Sequence, residues 1–472
     1  MRCRFVRRLF GTAGIRGRYP DEINPQLIAE VSASIATFFK ARKCALGGDG
    51  RLTTPILKHS ATVGLASVGV DVIDVSLTPL PVLAWSTSKL KCDCGVYITA
   101  SHNPPQYNGL KAFRGDGMEL LEDDEVRVEE IYFSRSWSSV EWFKVGHVEI
   151  VPYVVDEYVA ELTSRLTPKE VKLKPKVLID LANGAASLAT PKVLEGLGAH
   201  VITLNANIDG RFPGRSPEPR SDVLKPFLPV AKSLGVDVFL AHDGDGDRLA
   251  VLSPNLGFIK QDRVIALLAK YVLSVRKGSV VVSIDVGNAV KDVVESLGGK
   301  LIVVKLGLTH EGLVKHGDVV MTAEPWKFID PSWGPWVDGI YKASLIVKLM
   351  IEEGKNIDKL MEGIPNYPQA RISVEVPKHL REYVYEALQN KLLEGGRGIS
   401  EVITIDGLRV NYLDGSWMLI RKSGTEPKIR IYGESLTFNE LKKRVDDLIV
   451  VVDKVLKDRG VHEFKVEGEV LP

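Results

Sequence analysis

Apolar and polar positions follow a pattern that occurs three times along the chain. In each repeat an apolar stretch with helical spacing ends at a glycine and is followed by a short β-branched strand, at residues 61–75, 191–204 and 291–304. Residues 176–180 and 280–285 form apolar strands before the second and third helices, which gives βαβ units with parallel strands. The pattern predicts three similar α/β domains.

The C-terminal part of the chain has a different pattern. We predict strands at 403–405, 416–420 and 428–432 and helices at 381–393 and 438–456, an arrangement typical of an α+β domain. Loop-like segments near 142–152, 253–262 and 363–369 separate the periodic regions. The sequence therefore predicts four domains, at residues 1–150, 151–255, 256–366 and 367–472.

Composition excludes several classes of protein. Charged residues make up 26% of the chain and hydrophobic residues 45%, as in a globular protein with a large core. The net charge of +1 provides no strong field for nucleic acid or a membrane surface, and no apolar run approaches the roughly 20 residues of a membrane span. The four cysteines include no C-x-x-C pair. We expect a cytoplasmic protein that binds neither nucleic acid nor membranes.

Three aspartates occupy alternate positions in a short loop after the apolar strand predicted at 236–240, namely Asp243, Asp245 and Asp247. Loops at the carboxyl ends of parallel strands bind ligands, and three hard oxygen ligands suit Mg²⁺ or Ca²⁺. An acidic surface turn is the alternative. An EF-hand is excluded because its sixth and twelfth positions hold Arg248 and Pro254. The motif favours a metal site.

A hydroxyl and an imidazole are neighbours in the segment Thr99-Ala-Ser-His-Asn-Pro104, which follows a strand predicted at 95–98. A serine beside a histidine suggests nucleophilic catalysis. No G-x-S-x-G elbow surrounds Ser101, however, and a loop histidine often only forms hydrogen bonds. This segment alone leaves both interpretations open.

Two further loops carry candidate phosphate ligands. Residues 421–427, Arg-Lys-Ser-Gly-Thr-Glu-Pro, combine a guanidinium, hydroxyls and a glycine backbone, which suit a phosphate, although an ordinary polar loop has the same composition. The glycine-rich residues 10–17 contain Arg16 but lack the Gly-Lys-Ser/Thr end of a Walker A loop. Neither loop alone identifies a function.

Taken together, in this order and spacing, the four segments resemble the α-D-phosphohexomutases, the family of phosphoglucomutase, phosphomannomutase and phosphoglucosamine mutase. The resemblance covers nearly the whole chain. It implies an α/β protein with four domains around a central cleft. Three of them would be similar α/β domains with mixed, largely parallel sheets, and the fourth a C-terminal α+β domain.

The resemblance also implies roles for individual residues near the reacting phosphate. Ser101 would be the phosphorylated serine and, together with Asp243, Asp245 and Asp247, would hold Mg²⁺. The other expected catalytic residues lie in or beside the same motifs: Lys111 as general base, Arg248 to neutralise the phosphoryl group, Arg16 from the first loop, and His102 with Asn103 to shape the serine loop.

A second set of residues would bind the substrate. The residues that match the family's loop for the phosphate that is not transferred are Arg421, Ser423, Gly424, Thr425 and Arg430. Glu324 and Trp326 lie where the family has its sugar-recognition loop, and Lys305 matches a lysine of another family loop.

Two departures from the family's motifs concern the sugar. Residues 323–328 read Ala-Glu-Pro-Trp-Lys-Phe in place of Gly-Glu-x-Ser-Gly-His, so Trp326 replaces a small polar residue. We expect its indole either to stack on the sugar ring or to pack within the loop. The second loop has Leu308 in place of histidine, with His310 two residues further on, so no role is assigned to His310.

The implied activity is interconversion of hexose 1-phosphate and hexose 6-phosphate, with glucose, mannose or glucosamine as the sugar. It would pass through phosphorylated Ser101 and a bound hexose 1,6-bisphosphate, which would also prime the serine. A phosphatase and an inactive sugar-phosphate sensor are the alternatives. The sequence leaves the sugar and the oligomeric state open.

Overall fold

The computed structural model describes residues 9–11, 14–394, 398–423 and 427–472. The first domain contains a mixed sheet with the strand order β1-β5-β4-β2-β3-β6. Strands β4, β2, β3 and β6 run parallel to one another, and β5 is antiparallel to both of its neighbours, β1 and β4. Its strands are β1 (Ile15–Arg18), β2 (Lys43–Gly48), β3 (Asp71–Leu77), β4 (Cys94–Ile98), β5 (Tyr107–Arg114) and β6 (Val148–Ile150). Its helices are α1 (Pro25–Phe39), α2 (Thr54–Ser67), α3 (Leu80–Lys89) and α4 (Glu122–Ser134).

The second domain repeats the βαβ arrangement. Its sheet order is β11-β10-β9-β7-β8, with β9, β7 and β8 parallel. The strands are β7 (Lys176–Asp180), β8 (His200–Leu204), β9 (Val238–His242), β10 (Leu249–Ser253) and β11 (Gly257–Phe258). The helices are α5 (Val154–Leu166), α6 (Thr190–Gly196), α7 (Ser221–Leu224) and α8 (Leu228–Ser233).

The third domain has the sheet order β13-β12-β14-β15, in which only β15 is antiparallel. Its strands are β12 (Ser279–Ser283), β13 (Lys300–Val304), β14 (Val319–Glu324) and β15 (Lys327–Ile329). Its helices are α9 (Gln261–Val275), α10 (Asn288–Ser296), α11 (Thr309–Lys315), α12 (Gly339–Glu353) and α13 (Ile357–Met361). Asp338 caps α12, because its side chain accepts a hydrogen bond from the Tyr341 amide.

The fourth domain is built on an antiparallel sheet with the order β17-β18-β19-β20-β16-β21. The strands are β16 (Gln369–Glu375), β17 (Ile399–Ile403), β18 (Leu408–Tyr412), β19 (Trp417–Lys422), β20 (Lys428–Glu434) and β21 (Val466–Leu471). Two helices, α14 (Arg381–Leu393) and α15 (Phe438–Lys457), cover it. The predicted fold class, three α/β domains and an α+β domain, is confirmed.

Hydrophobic packing connects the first three domains to one another more closely than to the fourth domain. One continuous core includes Leu83 of α3, Val177 of β7 and Ile346 of α12, which belong to three different domains. The core of the fourth domain is a separate cluster around Val374 and Leu448. None of the described helices is long and apolar enough to cross a membrane.

Three α/β sheets end in loops that carry the predicted functional residues. The serine loop (residues 99–104) follows β4, the aspartate loop (residues 243–248) follows β9, and the hairpin loop (residues 323–328) joins β14 to β15. These loops are at the carboxyl ends of parallel strands, where α/β sheets bind ligands. The serine loop and the aspartate loop meet, since Thr99 contacts Asp245 and Ser101 contacts Asp243.

Candidate active site

Ser101 lies in a tightly held backbone turn. Its φ of 50° is in the left-handed region, which few non-glycine residues adopt. The hydroxyl of Thr99 accepts a hydrogen bond from the Ser101 amide over 2.7 Å. The Thr99 hydroxyl is also 2.7 Å from Asp49 Oδ2 and 3.1 Å from Asp245 Oδ2, so it links the serine loop to the first and second domains.

The three aspartates of the aspartate loop converge without exposure to solvent. Asp243, Asp245 and Asp247 are each 0% exposed, and ligand atoms from all three lie within 4.8 Å of one another. The hydroxyl of Ser101 donates a 2.7 Å hydrogen bond to Asp243 Oδ2. Among the described residues, Oδ1 of Asp245 and Oδ1 of Asp247 accept no hydrogen bond.

This donor set fits a divalent cation. Burial, followed by repulsion from the neighbouring carboxylates, raises the pKa of Asp243 and of Asp245. Buried like charges with unused oxygens are costly unless a positive ion offsets them. Three carboxylates with a serine oxygen beside them are hard ligands of the type that Mg²⁺ prefers.

Lys111 reaches the same cluster from β5. Its Nζ is 2.7 Å from Asp247, 3.5 Å from Glu119 and 4.0 Å from Asp245, and the residue is 1% exposed. Burial lowers the pKa of Lys111, but Asp247, Glu119 and Asp245 raise it by more, so the net shift is upward. The side chain is an ammonium ion in this arrangement.

The remaining predicted residues of the first two domains surround Ser101. His102 Nδ1 is 3.4 Å from the Ser101 hydroxyl, and burial, then Arg248 and Arg16, keep the pKa of His102 well below its usual value. Arg16 donates a 3.4 Å hydrogen bond to Asn103. The main-chain amide of Arg248 donates to Asp243. The site therefore combines a neutral imidazole with several cations.

Glu324 and Trp326 of the hairpin loop contact different parts of the molecule. Glu324 Oε2 accepts a 2.8 Å hydrogen bond from the Gly307 amide. The indole of Trp326 packs against Phe258, with ring centroids 5.8 Å apart, beside a core cluster of the second domain. Trp326 has a φ of 79°, and its carbonyl accepts a hydrogen bond from the Leu249 amide. The indole therefore packs on the second domain and not within its own loop.

Lys305 and His310 lie where the third domain contacts the first. Lys305 has a half-exposed side chain whose Nζ is 3.9 Å from Glu122. His310 is buried, and its Nε2 is 3.1 Å from the Leu120 carbonyl in the first domain. The hydrogen-bond contact of His310 therefore joins the third domain to the first.

In the fourth domain two arginines occupy opposite positions on neighbouring strands. Arg421 of β19 and Arg430 of β20 are directly paired in register, so their side chains share one face of the sheet. Arg421 is 3.0 Å from Asp406, whose carboxylate also accepts a hydrogen bond from the Leu306 amide in the third domain. Ser423 is buried, whereas Gly424 and Thr425 lie outside the described residues. Two arginines on one face suit an anionic ligand.

Several residues of the site were not predicted from sequence. Arg51 and Asp49 support the serine loop, Glu119 contacts Lys111, Lys327 pairs with Glu324, and Asp406 connects Arg421 to the third domain. Only Lys327 carried a sequence signal, because it lies in the loop that departs from the family's motif. The others act through contacts between segments distant in sequence.

Fold and site together describe an α/β protein in which a buried serine lies beside an acidic loop that could hold a metal ion. Comparison with known domain families specifies the class further. Residues 7–139 match the phosphoglucomutase/phosphomannomutase α/β/α domain I, residues 156–257 domain II, residues 260–367 domain III, and residues 372–450 the C-terminal domain. The chain belongs to the phosphoglucomutase/phosphomannomutase family, the α-D-phosphohexomutases, and is a phosphomutase.

Individual relatives differ in the sugar they are named for. The chain is 42% identical over 457 residues to a phosphopentomutase of Thermococcus kodakarensis, covering 96% of this chain and 99% of the relative. It is 34% identical to a "Probable phosphoglucosamine mutase" of Methanosphaera stadtmanae, covering 92% and 96%. A family protein of Burkholderia thailandensis has the same fold, with a TM-score of 0.83 at 23% identity over 99% of this chain and all of that one.

Proposed function

We propose that this enzyme moves a phosphoryl group between the 1-position and the terminal hydroxymethyl oxygen of a sugar through phosphorylated Ser101. For a hexose the products are the 1-phosphate and 6-phosphate of glucose, mannose or glucosamine. The observation that carries the proposal is the 2.7 Å hydrogen bond from the Ser101 hydroxyl to Asp243, with Lys111 bound to Asp247 of the same loop. A metal ion held by the aspartate loop, together with Lys111, would offset the charge of a phosphorylated Ser101.

The chain's own residues have distinct roles in this reaction. When Ser101 attacks a sugar phosphate, its hydroxyl proton passes to Asp243, which accepts its hydrogen bond, and Lys111, an ammonium ion, protonates the sugar oxygen that leaves the phosphoryl group. In the reverse transfer neutral Lys111 takes the proton of the attacking sugar hydroxyl, and Asp243 returns its proton to Ser101. Arg248 and Arg16 neutralise charge on the phosphoryl oxygens. His102 and Asn103 shape the loop around Ser101.

Asp243, Asp245, Asp247 and Ser101 would hold Mg²⁺. The ion would supply positive charge next to the phosphoryl group in a site with three buried carboxylates. The unused oxygens of Asp245 and Asp247 support this assignment.

Arg421, Ser423, Gly424, Thr425 and Arg430 would bind the phosphate that is not transferred. Glu324 would bind sugar hydroxyls, and Lys305 would contact the substrate from the edge of the cleft. Because either end of the substrate must occupy the arginine site during one cycle, the bound 1,6-bisphosphate turns around before the second transfer. The same bisphosphate primes unphosphorylated Ser101. A phosphatase would not need this second phosphate site.

A pentose phosphate is the second candidate substrate. The observation in its favour is the 42% identity, along almost the full length of both chains, to a relative named phosphopentomutase. The departure of residues 323–328 from the hexomutase motif agrees with a different sugar. The reaction would be the same phosphoryl transfer, between the 1- and 5-positions.

A substrate panel tests the proposal. The 1-phosphates of glucose, mannose, glucosamine and ribose should be assayed side by side with Mg²⁺ and the matching bisphosphate as primer. We expect the phosphate to appear at the terminal carbon of at least one of them, without net release of inorganic phosphate. Release of stoichiometric inorganic phosphate would indicate a phosphatase, and binding without turnover would indicate a sensor.

A further inference from the structure

Several large apolar side chains are exposed at one edge of the first domain. Trp142 and Phe143 are 84% and 64% exposed, and their ring centroids lie 5.5 Å apart. Val148 and Ile150 of β6, a few residues further on, are 52% and 66% exposed. Single exposed apolar residues are ordinary, whereas a group of this kind usually marks an interaction surface. We call these four residues the apolar edge.

Val148 and Ile150 lie on one face of the sheet, because side chains two positions apart in a strand point to the same side. In the register of β6 with β3, Val148 is opposite Val72 and Ile150 is opposite Asp74. Lys58 of α2 pairs with Asp74 over 2.7 Å. The charge beside Ile150 is therefore neutralised within the chain, and this face of the edge remains apolar.

Strand β6 is an open edge of its sheet. Within the described part of the chain it pairs with β3 alone, at one end of the strand order. The His147 carbonyl accepts a hydrogen bond from the Val72 amide, so the odd-numbered residues of this segment bond toward β3. The main-chain groups of Val148 and Ile150 therefore point outward. The strand has no proline, lysine or bulge of the kind that protects an edge from pairing with another chain.

We propose that this protein is a dimer in which β6 pairs antiparallel with β6 of a second copy, around a twofold axis at Val148. A twofold interface must be self-complementary, and antiparallel pairing of one strand with its own copy satisfies that condition. The axis at Val148 puts Glu149 opposite the partner's His147, and an imidazole in either charge state can donate a hydrogen bond to a carboxylate. An axis at Glu149 would place two carboxylates opposite each other, which is destabilising. Charge complementarity therefore selects the first register.

The register also satisfies the main-chain groups that point outward from β6. Val148 is opposite its own copy, with which its amide and carbonyl exchange hydrogen bonds. Ile150 is opposite the partner's Gly146, whose carbonyl accepts from the Ile150 amide. Because glycine has no side chain, the side chain of Ile150 packs over it without obstruction. The first-domain sheets of the two copies then form one continuous sheet.

The aromatic residues of the apolar edge extend the interface beyond the strand pair. Residues before β6 in one copy run beside residues after β6 in the other, so the register brings Phe143 toward the partner's Tyr153. Tyr153 is 52% exposed in the single chain. A large aromatic side chain can bury about 150 to 250 Å², and a stable interface covers roughly 800 Å² per partner. Trp142, Phe143 and Tyr153 therefore supply much of the area that a dimer needs.

The proposed interface is separate from the candidate active site. The serine loop follows β4, and both β2 and β3 lie between β4 and β6 in the sheet. Substitutions in the apolar edge should therefore change assembly and leave kcat/KM nearly unchanged. The proposal does not depend on the proposed function.

Sedimentation equilibrium of the full chain over a range of concentrations measures assembly. We expect wild type to be a dimer and Ile150→Asp to be a monomer, because the dimer would bury an unpaired charge in its apolar contact. Trp142→Ser is a second apolar variant and should weaken the dimer as well. Val450→Asp is the matched control, because Val450 is 67% exposed but lies on α15 in the fourth domain. The control should remain a dimer.

A charge exchange tests the register. His147→Glu should raise the dissociation constant of the dimer about tenfold or more, because it sets carboxylates opposite each other at both symmetry-related positions. The double variant His147→Glu with Glu149→His exchanges the two partners. It should restore the dissociation constant to within about threefold of wild type.

The outcomes that would overturn the proposal are distinct from failure of the proposed function. A wild-type monomer at about 100 μM would overturn it, and so would a dimer or larger assembly that Ile150→Asp leaves intact. A double variant that dissociates as readily as His147→Glu would overturn the twofold axis at Val148. A dimer without mutase turnover would contradict the proposed function alone, and an active monomer would contradict the dimer alone.

Discussion

The guanidinium of Arg51 donates a 2.8 Å hydrogen bond to the main-chain carbonyl of Ser101. The same guanidinium donates to the carbonyls of Asn103, Pro104 and Tyr107 and pairs with Asp49. Arg51 is 1% exposed and stacks on the ring of Phe212, a second-domain residue, at 4.9 Å. Arg51 is therefore a positioning residue that holds the strained backbone of Ser101 beside the aspartate loop.

We predict that Arg51→Lys lowers kcat by about 100-fold with little change in KM, since a shift of about 1 Å in a reacting group can cost that much. Lysine keeps the charge but cannot donate to all four carbonyls, and each unsatisfied carbonyl costs about 1 to 3 kcal/mol of stability. Single-turnover phosphorylation of Ser101 measures the effect separately from folding. Arg276→Lys, at a partly exposed ion pair with Asp330, is the control. An equal loss in both variants would contradict the positioning role.

The metal site predicts an effect on stability as well as on activity. Wild-type enzyme should lose turnover in EDTA and unfold at a lower temperature, because the charges of Asp243, Asp245 and Asp247 are then not offset. Asp245→Asn should also be inactive, yet without metal it should unfold at a higher temperature than metal-free wild type. Calorimetry with and without Mg²⁺ measures both effects. The exposed Asp222→Asn is the control, and full activity after EDTA treatment would refute the site.

Arg421→Ala should weaken binding of the 1-phosphate and of the terminal phosphate alike, because each end of the substrate occupies this site once per cycle. Losing a charged bidentate contact should cost about 2 to 4 kcal/mol in kcat/KM in either direction. Lys422→Ala tests whether charge alone matters, since Lys422 is the next residue and pairs with Glu382 outside the site. Unchanged KM in both directions would remove Arg421 from the substrate site.

Lys342 predicts a pH dependence of stability. It is 0% exposed, its Nζ is 3.3 Å from the carbonyls of Leu249 and Trp326, and burial lowers its pKa to about 7. Between about pH 7 and 10.4 the unfolded chain keeps the proton of Lys342, whereas the folded protein has lost it. The need to lose this proton on folding therefore destabilises the folded state at low pH, and the free energy of unfolding rises with pH from about 7 to 10. Lys342→Met should flatten this rise by a few kcal/mol. Unfolding temperatures of both proteins across that range test it, and parallel curves would contradict it.

Local patterns allowed much of the fold to be predicted. The strand at 176–180 and the helix at 381–393 are confirmed residue for residue. The strand predicted at 403–405 is wrong beyond Ile403, because β17 ends there and the chain turns through Gly407, whose φ is 88°. Strand β21 was missed, since alternating valine and glutamate at the end of the chain pairs with β16 only in the folded domain.

The residues of the candidate site also fall into two groups, those that a local motif indicates and those that depend on tertiary contacts. Ser101 and the aspartates stand in short motifs whose chemistry is local, so the sequence indicates them directly. Asp406 accepts its hydrogen bond from Leu306 only when the third and fourth domains meet, and Lys327 lowers the pKa of Asp247 only when the third domain lies beside the second. Trp326 shows the opposite case, because a motif position that suggested sugar contact is occupied by a side chain that packs on the neighbouring domain. Such roles depend on tertiary structure and not on spacing.

Phosphorylation of Ser101 tests the central claim most directly. Wild-type enzyme and Ser101→Ala should be mixed with sugar bisphosphate and Mg²⁺, and the intact protein and its peptides should be weighed by mass spectrometry. We predict one added phosphoryl group on Ser101 in wild type, its loss when sugar monophosphate is added, and neither phosphorylation nor mutase turnover in Ser101→Ala. Wild-type enzyme that turns over without phosphate on Ser101, together with an active Ser101→Ala variant, would contradict the account.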